Sequence, residues 1–214
     1  MSTMREISVK CAVCKKSSEQ TVITSTNQFG SPDLDLRPAP MARSTMYLWV
    51  EKCPHCGFVA SSLDSAKPVP LAWLESESYK SCDGNRFASS LASLFYQQYS
   101  LASQMGETEE AYRAALRAAW ACDDRREKGK AVLCRRLALA RLDELLTKKS
   151  KDENLWVIRA DILRRTGAFE QLIEEYGDKR FSKEILNQII AFQLRKAREK
   201  DTACYTVSDA ATDE

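Results

Sequence analysis

The sequence predicts an α+β fold, mostly α, in which a small β-rich module precedes an array of antiparallel helical hairpins. Three observations predict it. Two Cys-x-x-Cys pairs lie in the first 66 residues, among short β-branched and aromatic runs. After residue 66 the alphabet shifts to Ala, Leu, Arg, Glu and Gln, which favour helices. Two later stretches, "LFYQQYSLASQMGETEEAYRAALRAAW" and "LWVIRADILRRTGAFEQLIEEYGD", each read as a long helix, a Gly and an amphipathic partner.

Composition sets the frame. A chain of 214 residues, 44% hydrophobic and 29% charged with only 7 Gly and 6 Pro, is of globular type and can bury a useful core. A net charge of +2 demands neither nucleic acid nor an anionic membrane as partner. The start "MSTMREISVK" lacks the apolar core of a secretory signal, and no apolar run approaches the roughly 20 residues of a membrane span. The expected address is the cytoplasm. Structural disulfides are rare there, so the eight Cys are expected to be metal ligands or free thiols.

Along the chain, "REISV", "TVITS", "TMYLWVEK" and the weaker "GFVAS" read as strands. Turn-prone "FGSPDLDLRPAP" separates the second from the third. Four of the six Pro precede residue 67, and Pro68 and Pro70 in "LDSAKPVPLA" mark a linker that no helix should cross. The predicted units are a module over 1–66, a helical domain over 67–204 and a flexible acidic tail over 205–214, "YTVSDAATDE", with little to bury. In the helical domain a short helix is expected near 71–80 and a long one over 85–105, stopped by Gly106. Thr108 is placed to cap a helix over 109–122, and a third long helix covers 127–148. Asp152 caps a fourth that ends at Gly167, a fifth ends at Gly177, and the last covers 182–199. Trp156, Ala160, Gly167 and Tyr176 fall at the spacing of a tetratricopeptide helix pair. Gly106 and Gly167 lie 61 residues apart, however, which is no multiple of that repeat's roughly 34. The array is therefore tetratricopeptide-like, with irregular repeats.

The chemistry concentrates in Cys11-Ala-Val-Cys14 and Cys53-Pro-His-Cys56, two pairs separated by 38 residues. Two intervening residues let both sulfurs of a pair reach one metal from a tight knuckle, and two knuckles in a small β module make a zinc-ribbon pattern. Gly57 supplies the positive φ that such a knuckle often needs. Four thiolates on one Zn²⁺ leave a charge of about −2, which Lys15 and Lys16 would partly offset. The pair Cys53-Pro-His-Cys56 also matches the dithiol of a strongly oxidising disulfide oxidoreductase. That fold alternates strands and helices, whereas everything after residue 70 reads as helical and the upstream pair would be unexplained, so a structural zinc is the stronger reading. Four Cys close the coordination shell, which argues against catalytic zinc. His55, the single histidine, is expected to point outward between two ligands. Cys82, Cys122, Cys134 and Cys204 lack ligand spacing and read as buried thiols on helix faces.

Beyond the knuckles, an ordered set of motifs resembles one bacterial family. "VKCAVCKK", "DLDLRP", "MYLWVEKCPHCGFVA", "AAWACDD", "ADILRRTGAFE" and "IIAFQLRKAREKD", spanning about residues 9 to 201, together resemble the proteins grouped as "domain of unknown function 2225". The resemblance implies a cytoplasmic bacterial protein with a zinc-ribbon-like start and a tetratricopeptide-like body, and it carries over no established biochemical activity. The family's cysteines fall on Cys11, Cys14, Cys53 and Cys56.

Two further stretches are candidates. In "SPDLDLRP", Asp33, Asp35 and Arg37 alternate on one side of a loop, as a small acid–base or metal cluster or, more simply, an internal Asp–Arg pair that orders it. In "RREKGKAVLCRR", Arg125, Arg126, Lys128, Lys130, Arg135 and Arg136 are basic, but neighbouring Asp and Glu dilute them to a solvated helix face. Trp49, Trp73, Trp120 and Trp156 read as packing residues, with Trp73 docking the module on the helices. No catalytic constellation is present in the sequence. The expected function is a non-enzymatic scaffold or adaptor with one structural zinc and a protein or peptide partner on the helices. The alternatives are a nucleic-acid-binding zinc ribbon and a thiol-redox sensor acting through the zinc site.

Overall fold

The β module is built from two short hairpins. In the computed structural model, which describes residues 2–82 and 86–211, strands β1 (Thr3–Lys10) and β2 (Ser17–Ser25) pair antiparallel from Lys10↔Ser17 out to Thr3↔Ser25. Strands β3 (Glu51–Lys52) and β4 (Val59–Ala60) form a second, separate pair. Each Cys-x-x-Cys pair is therefore the loop of its own hairpin. The third expected strand, "TMYLWVEK", is mostly not one. Helix α1 (Pro40–Arg43) leads into a 3-10 turn at Met46–Leu48, and only Glu51–Lys52 are extended. Thr45 explains the change: its hydroxyl donates to Ala42 O and accepts from Trp49 Nε1, and its carbonyl accepts from Leu48 N. This curl sends Met46 and Val50 into the helical core, so tertiary burial overrides local strand preference.

The helices follow the predicted order with shifted ends. The short helix near 71–80 is two, α2 (Leu71–Glu75) and α3 (Glu77–Lys80), because Ser76 is extended and its hydroxyl caps the second. Helix α4 (Ser90–Gln104) starts where Ser89 accepts from Ala92 N, later than the expected 85, which lies outside the described residues. Helix α5 (Thr108–Asp124) carries Thr108 inside its first turn, with no capping side chain. Helix α6 covers Lys128–Lys148, and α7 (Glu153–Arg165) is capped by Asp152 through Asn154 N. Helices α8 (Phe169–Tyr176), α9 (Glu184–Arg198) and α10 (Val207–Ala211) complete the chain.

Among the described residues one turn is used four times. Glu107 N bonds Ala102 O, Glu127 N bonds Cys122 O, Ala168 N bonds Leu163 O and Asp201 N bonds Lys196 O, all at 2.9 or 3.0 Å. Each closes a helix end through one left-handed residue, namely Gly106, Arg126, Gly167 and Lys200. The two glycines announce themselves in sequence, while Arg126 and Lys200 do not.

Helix α5 lies against both α4 and α6, and α6 also packs on α7. The alanines 111, 114, 115, 118, 119 and 121 of α5 are buried and let its neighbours come close. A second apolar cluster joins α7, α8 and α9 around Leu163, Leu172 and Tyr176. The fold is thus α+β and mostly α. Helix pairs α4–α5 and α7–α8 share a turn type, but α6 stands between them, so a tetratricopeptide array does not follow from this order. Among the described residues no helix is long and apolar enough to cross a membrane.

The tail does not fray over its described part. Leu34 N bonds Tyr205 O, Val207 N bonds Pro32 O, and Asp33 and Thr206 form a β-bridge. The Tyr205 ring meets Phe192 edge-on at 5.0 Å, and Ala210 is buried in the α9 cluster. Local sequence gives no sign of this docking because the partner, the 32–34 segment, is more than 170 residues away. The remaining tail residues, 212–214, lie outside the described part.

Candidate metal centre

Both knuckles solve the same geometric problem. In the first, Cys11 N donates to Lys16 O and Lys15 N to Cys11 O, both at 3.0 Å. In the second, Cys53 N donates to Phe58 O at 2.8 Å and Gly57 N to Cys53 O at 2.9 Å. The residue after the second cysteine must take positive φ in each, +75° at Gly57 and +62° at Lys15. Gly57 does so freely. Lys15 bears the steric cost of a side chain there and ties its ammonium to Ala12 O at 2.6 Å.

The two hairpin loops meet tip to tip. Sulfurs of Cys11 and Cys56 lie 3.8 Å apart, those of Cys14 and Cys53 3.6 Å apart, and all four are within 4.8 Å of one another. None of the eight cysteines is in a disulfide. Cys11 and Cys53 are buried and Cys14 and Cys56 half-buried. Backbone donors already face the sulfurs, as Val13 N does Cys11 Sγ at 3.4 Å. Burial pushes the Cys56 thiol up to about 12 and raises Cys11. At Cys14 a burial penalty is outweighed by the Lys16 N–H and the neighbouring sulfurs, which bring it down to about 7. Four converging sulfurs with aligned N–H donors could hold a metal ion, which would replace the remaining thiol protons.

Several residues the sequence did not single out hold the knuckles in place. Ala12 N bonds Leu63 O at 2.7 Å, and Glu51, buried beneath the site, accepts from Leu63 N at 2.8 Å. Burial raises the Glu51 carboxyl above its ordinary value. Tyr79 of α3 donates to Gly57 O at 2.8 Å. Around them Val9, Phe58, Leu63, Leu74 and Leu101 form one apolar cluster, against which Trp73 and Met105 pack, so the module shares a core with α2, α3 and α4. A charged residue inside the apolar run "YLWVEKC" was the one available signal for Glu51, and Tyr79 left none. No protein-family model, curated protein or solved structure matches this chain.

His55 is exposed, with Nε2 3.1 Å from Ser17 O and outside the sulfur cluster. Cys82, Cys122 and Cys134 are buried, whereas Cys204 is exposed on the C-terminal segment rather than on a helix face. Asp33, Asp35 and Arg37 are all buried, and their charges pair outside the trio, although Arg37 N donates to Asp35 Oδ1 at 3.3 Å. Asp33 takes Arg43 at 2.6 Å, and Arg37 takes Asp124 at 2.6 Å. Asp35 accepts from Trp120 Nε1 at 2.8 Å and lies 3.7 Å from Arg135 and 3.6 Å from Arg165. The loop is ordered by α5, α6 and α7 together with the local Asp33–Arg43 pair. Of the basic stretch, Arg135 is withdrawn into this network, bonded to Asp123 at 2.5 Å, and Arg125, Arg126, Lys128 and Arg136 remain exposed.

Proposed function

We propose that the four cysteines bind one structural zinc ion, and that the chain is a non-enzymatic cytoplasmic scaffold that binds a protein or peptide partner. Tetrahedral thiolate ligands at the usual Zn–S distance of about 2.3 Å stand about 3.8 Å apart. The sulfur separations of 3.6 and 3.8 Å are close to that spacing, and all four sulfurs lie within 4.8 Å of one another. Four sulfurs complete its shell, leaving it to hold rather than to react. The zinc would staple two hairpins too short to persist alone onto the helical body. A partner surface is supported by exposed apolar groups near the first hairpin, where Tyr47 reaches Met4 Sδ at 3.5 Å and both stay substantially exposed. Membership of the "domain of unknown function 2225" family belongs to the same proposal and rests on the ordered motifs. The nucleic-acid alternative loses Arg135 to an internal ion pair.

Metal analysis of protein purified without chelator tests the first part. One zinc per chain is expected, falling well below one in Cys14→Ser and Cys56→Ser. No zinc, with Cys53 and Cys56 disulfide-bonded, would overturn it. Affinity capture from the native host that returned only RNA or DNA would count against the scaffold.

A further inference from the structure

A second site lies away from the cysteines. A cavity of about 600 Å³ opens between the 35–38 loop, α5 and the start of α7, within the size range of small-ligand sites. Trp49, Tyr112, Trp120, Leu116, Leu155 and Ile158 wall it. The two indole N–H groups are already spent, on Thr45 Oγ1 and Asp35 Oδ2, so the rings offer apolar surface.

Three of the four charged groups lining the cavity are committed. Arg113 is held by Glu109 at 2.7 Å. Asp35 is engaged by Trp120 and flanked by Arg135 and Arg165. Asp152 caps α7. Arg117 differs: among the described residues it has no hydrogen bond or ion pair. It is half-buried, with its guanidinium 5.6 Å from the centre of the Trp49 ring. Burial is the main influence on it and works against its charge. Glu110 offsets part of this from a distance, but a guanidinium partly stripped of water and bonded to no carboxylate gains strongly from an anion, and the indole on one side limits where that anion can sit. Because Arg117 itself takes the cation's place against Trp49, a cationic ligand has no seat there.

The rim carries a strained residue. Leu36 has φ +63° and a side chain 50% exposed. Its conformation is fixed by Leu36 N to Asp33 O and Asp33 N to Arg37 O, both at 2.9 Å. A non-glycine residue held in this region, with its apolar side chain out at a cavity mouth, fits a ligand clamp.

We propose that this cavity binds a carboxylate carried on a flat apolar body, with Arg117 as the anion partner and Trp49 and Trp120 as walls. The carboxylate could come from a small aromatic acid or from the C-terminus of a peptide ending in an aromatic residue. The inference does not depend on the zinc reading.

Calorimetric titration and ligand-observed NMR on the full chain test it. The probes are phenylacetate against phenylacetamide, and the peptide Ala-Ala-Leu-Phe with a free against an amidated C-terminus. At least one free acid is expected to bind about tenfold or more tightly than its amide. Arg117→Gln should bring that acid down to the level of the amide, and Arg117→Lys should retain part of the difference. Binding of phenylacetate alone identifies a small acid as the source, and binding of the peptide alone identifies a chain terminus. Acid and amide binding alike, neither acid binding at about 10 mM, or an Arg117→Gln protein with undiminished acid affinity would each overturn the proposal. The acid–amide comparison on the unaltered chain decides the matter even if the variants fold poorly.

Discussion

Replacing Arg164 by Met should remove much of the stability of this protein, in a way that depends on pH. Arg164 is fully buried and spends its guanidinium on four acceptors. Nε donates to Gln193 Oε1 at 2.9 Å, one terminal nitrogen to Asp201 O and Ala203 O at 2.9 and 2.8 Å, and the other to Asp161 Oδ1 at 2.7 Å. Methionine keeps most of the bulk and none of the donors. Stranding one buried carboxylate costs roughly 3–5 kcal/mol, and three neutral acceptors lose a donor as well, at about 1 kcal/mol each or less. A loss of about 5 kcal/mol is a large share of the roughly 5–15 kcal/mol typical of a domain. With a urea slope of about 3 kcal/mol per molar, the midpoint should fall by roughly 1.5–2 M. Burial raises the Asp161 carboxyl above its ordinary value while Arg164 pulls it back, so the variant raises it further. A group raised in the folded state contributes stability at low pH and loses it as pH rises through its folded pKa. The deficit should therefore be largest at neutral pH and shrink on acidification, and adding Asp161→Asn should recover most of it. A loss below about 1 kcal/mol, or one equal at mildly acidic and neutral pH, would refute the reasoning.

Burial works against the Asp123 carboxylate, but Arg135, Arg165 and Arg37 together hold it below the usual range. Its stabilisation is present above the ordinary carboxylate value and lost as pH falls through the folded one, so urea midpoints of the native chain should drop more steeply on acidification than those of Asp123→Asn. Leu36→Gly should change stability by no more than about 1 kcal/mol, since relieved strain and added unfolded-state freedom oppose each other. Leu34→Ala, two residues away and buried, should cost about 3 kcal/mol in the same melts. Deleting residues 205–214 removes Tyr205 from Phe192 and two backbone bonds to the 32–34 segment. We expect a loss of roughly 3 kcal/mol, read as a melting temperature lower by about 6–12 °C, and an unchanged temperature would mean that the tail is not a structural element.

Much of the helical body was legible because its signals are local. Apolar periodicity places α5, α6, α7 and α9 within a few residues, and Asp152 and Gly167 mark their ends by capping chemistry that needs no distant partner. The misplaced features share a different cause. Thr45 and Met46 leave the strand their neighbours favour because the helical core takes Met46. Arg126 and Lys200 terminate helices in a conformation that their residue types disfavour, held there by the chain on either side. The tail docks against a segment that no local pattern links to it.

The two Cys-x-x-Cys pairs show the same division at the site. Two residues between thiols dictate a tight knuckle wherever the pair occurs, so sequence alone determined which four sulfurs to watch and that Gly57 would turn left-handed. It could not determine that each knuckle caps its own hairpin, that Lys15 shares the strained turn of Gly57, or that Glu51 and Tyr79 hold the pair from behind. The tertiary structure alone decided that Asp35 lies beneath Trp120 and that Arg117 stands beside Trp49 bonded to no carboxylate. Those relations join segments up to 85 residues apart, and the free energy that sets them, desolvation balanced against pairing, exists only once the helices have closed around them.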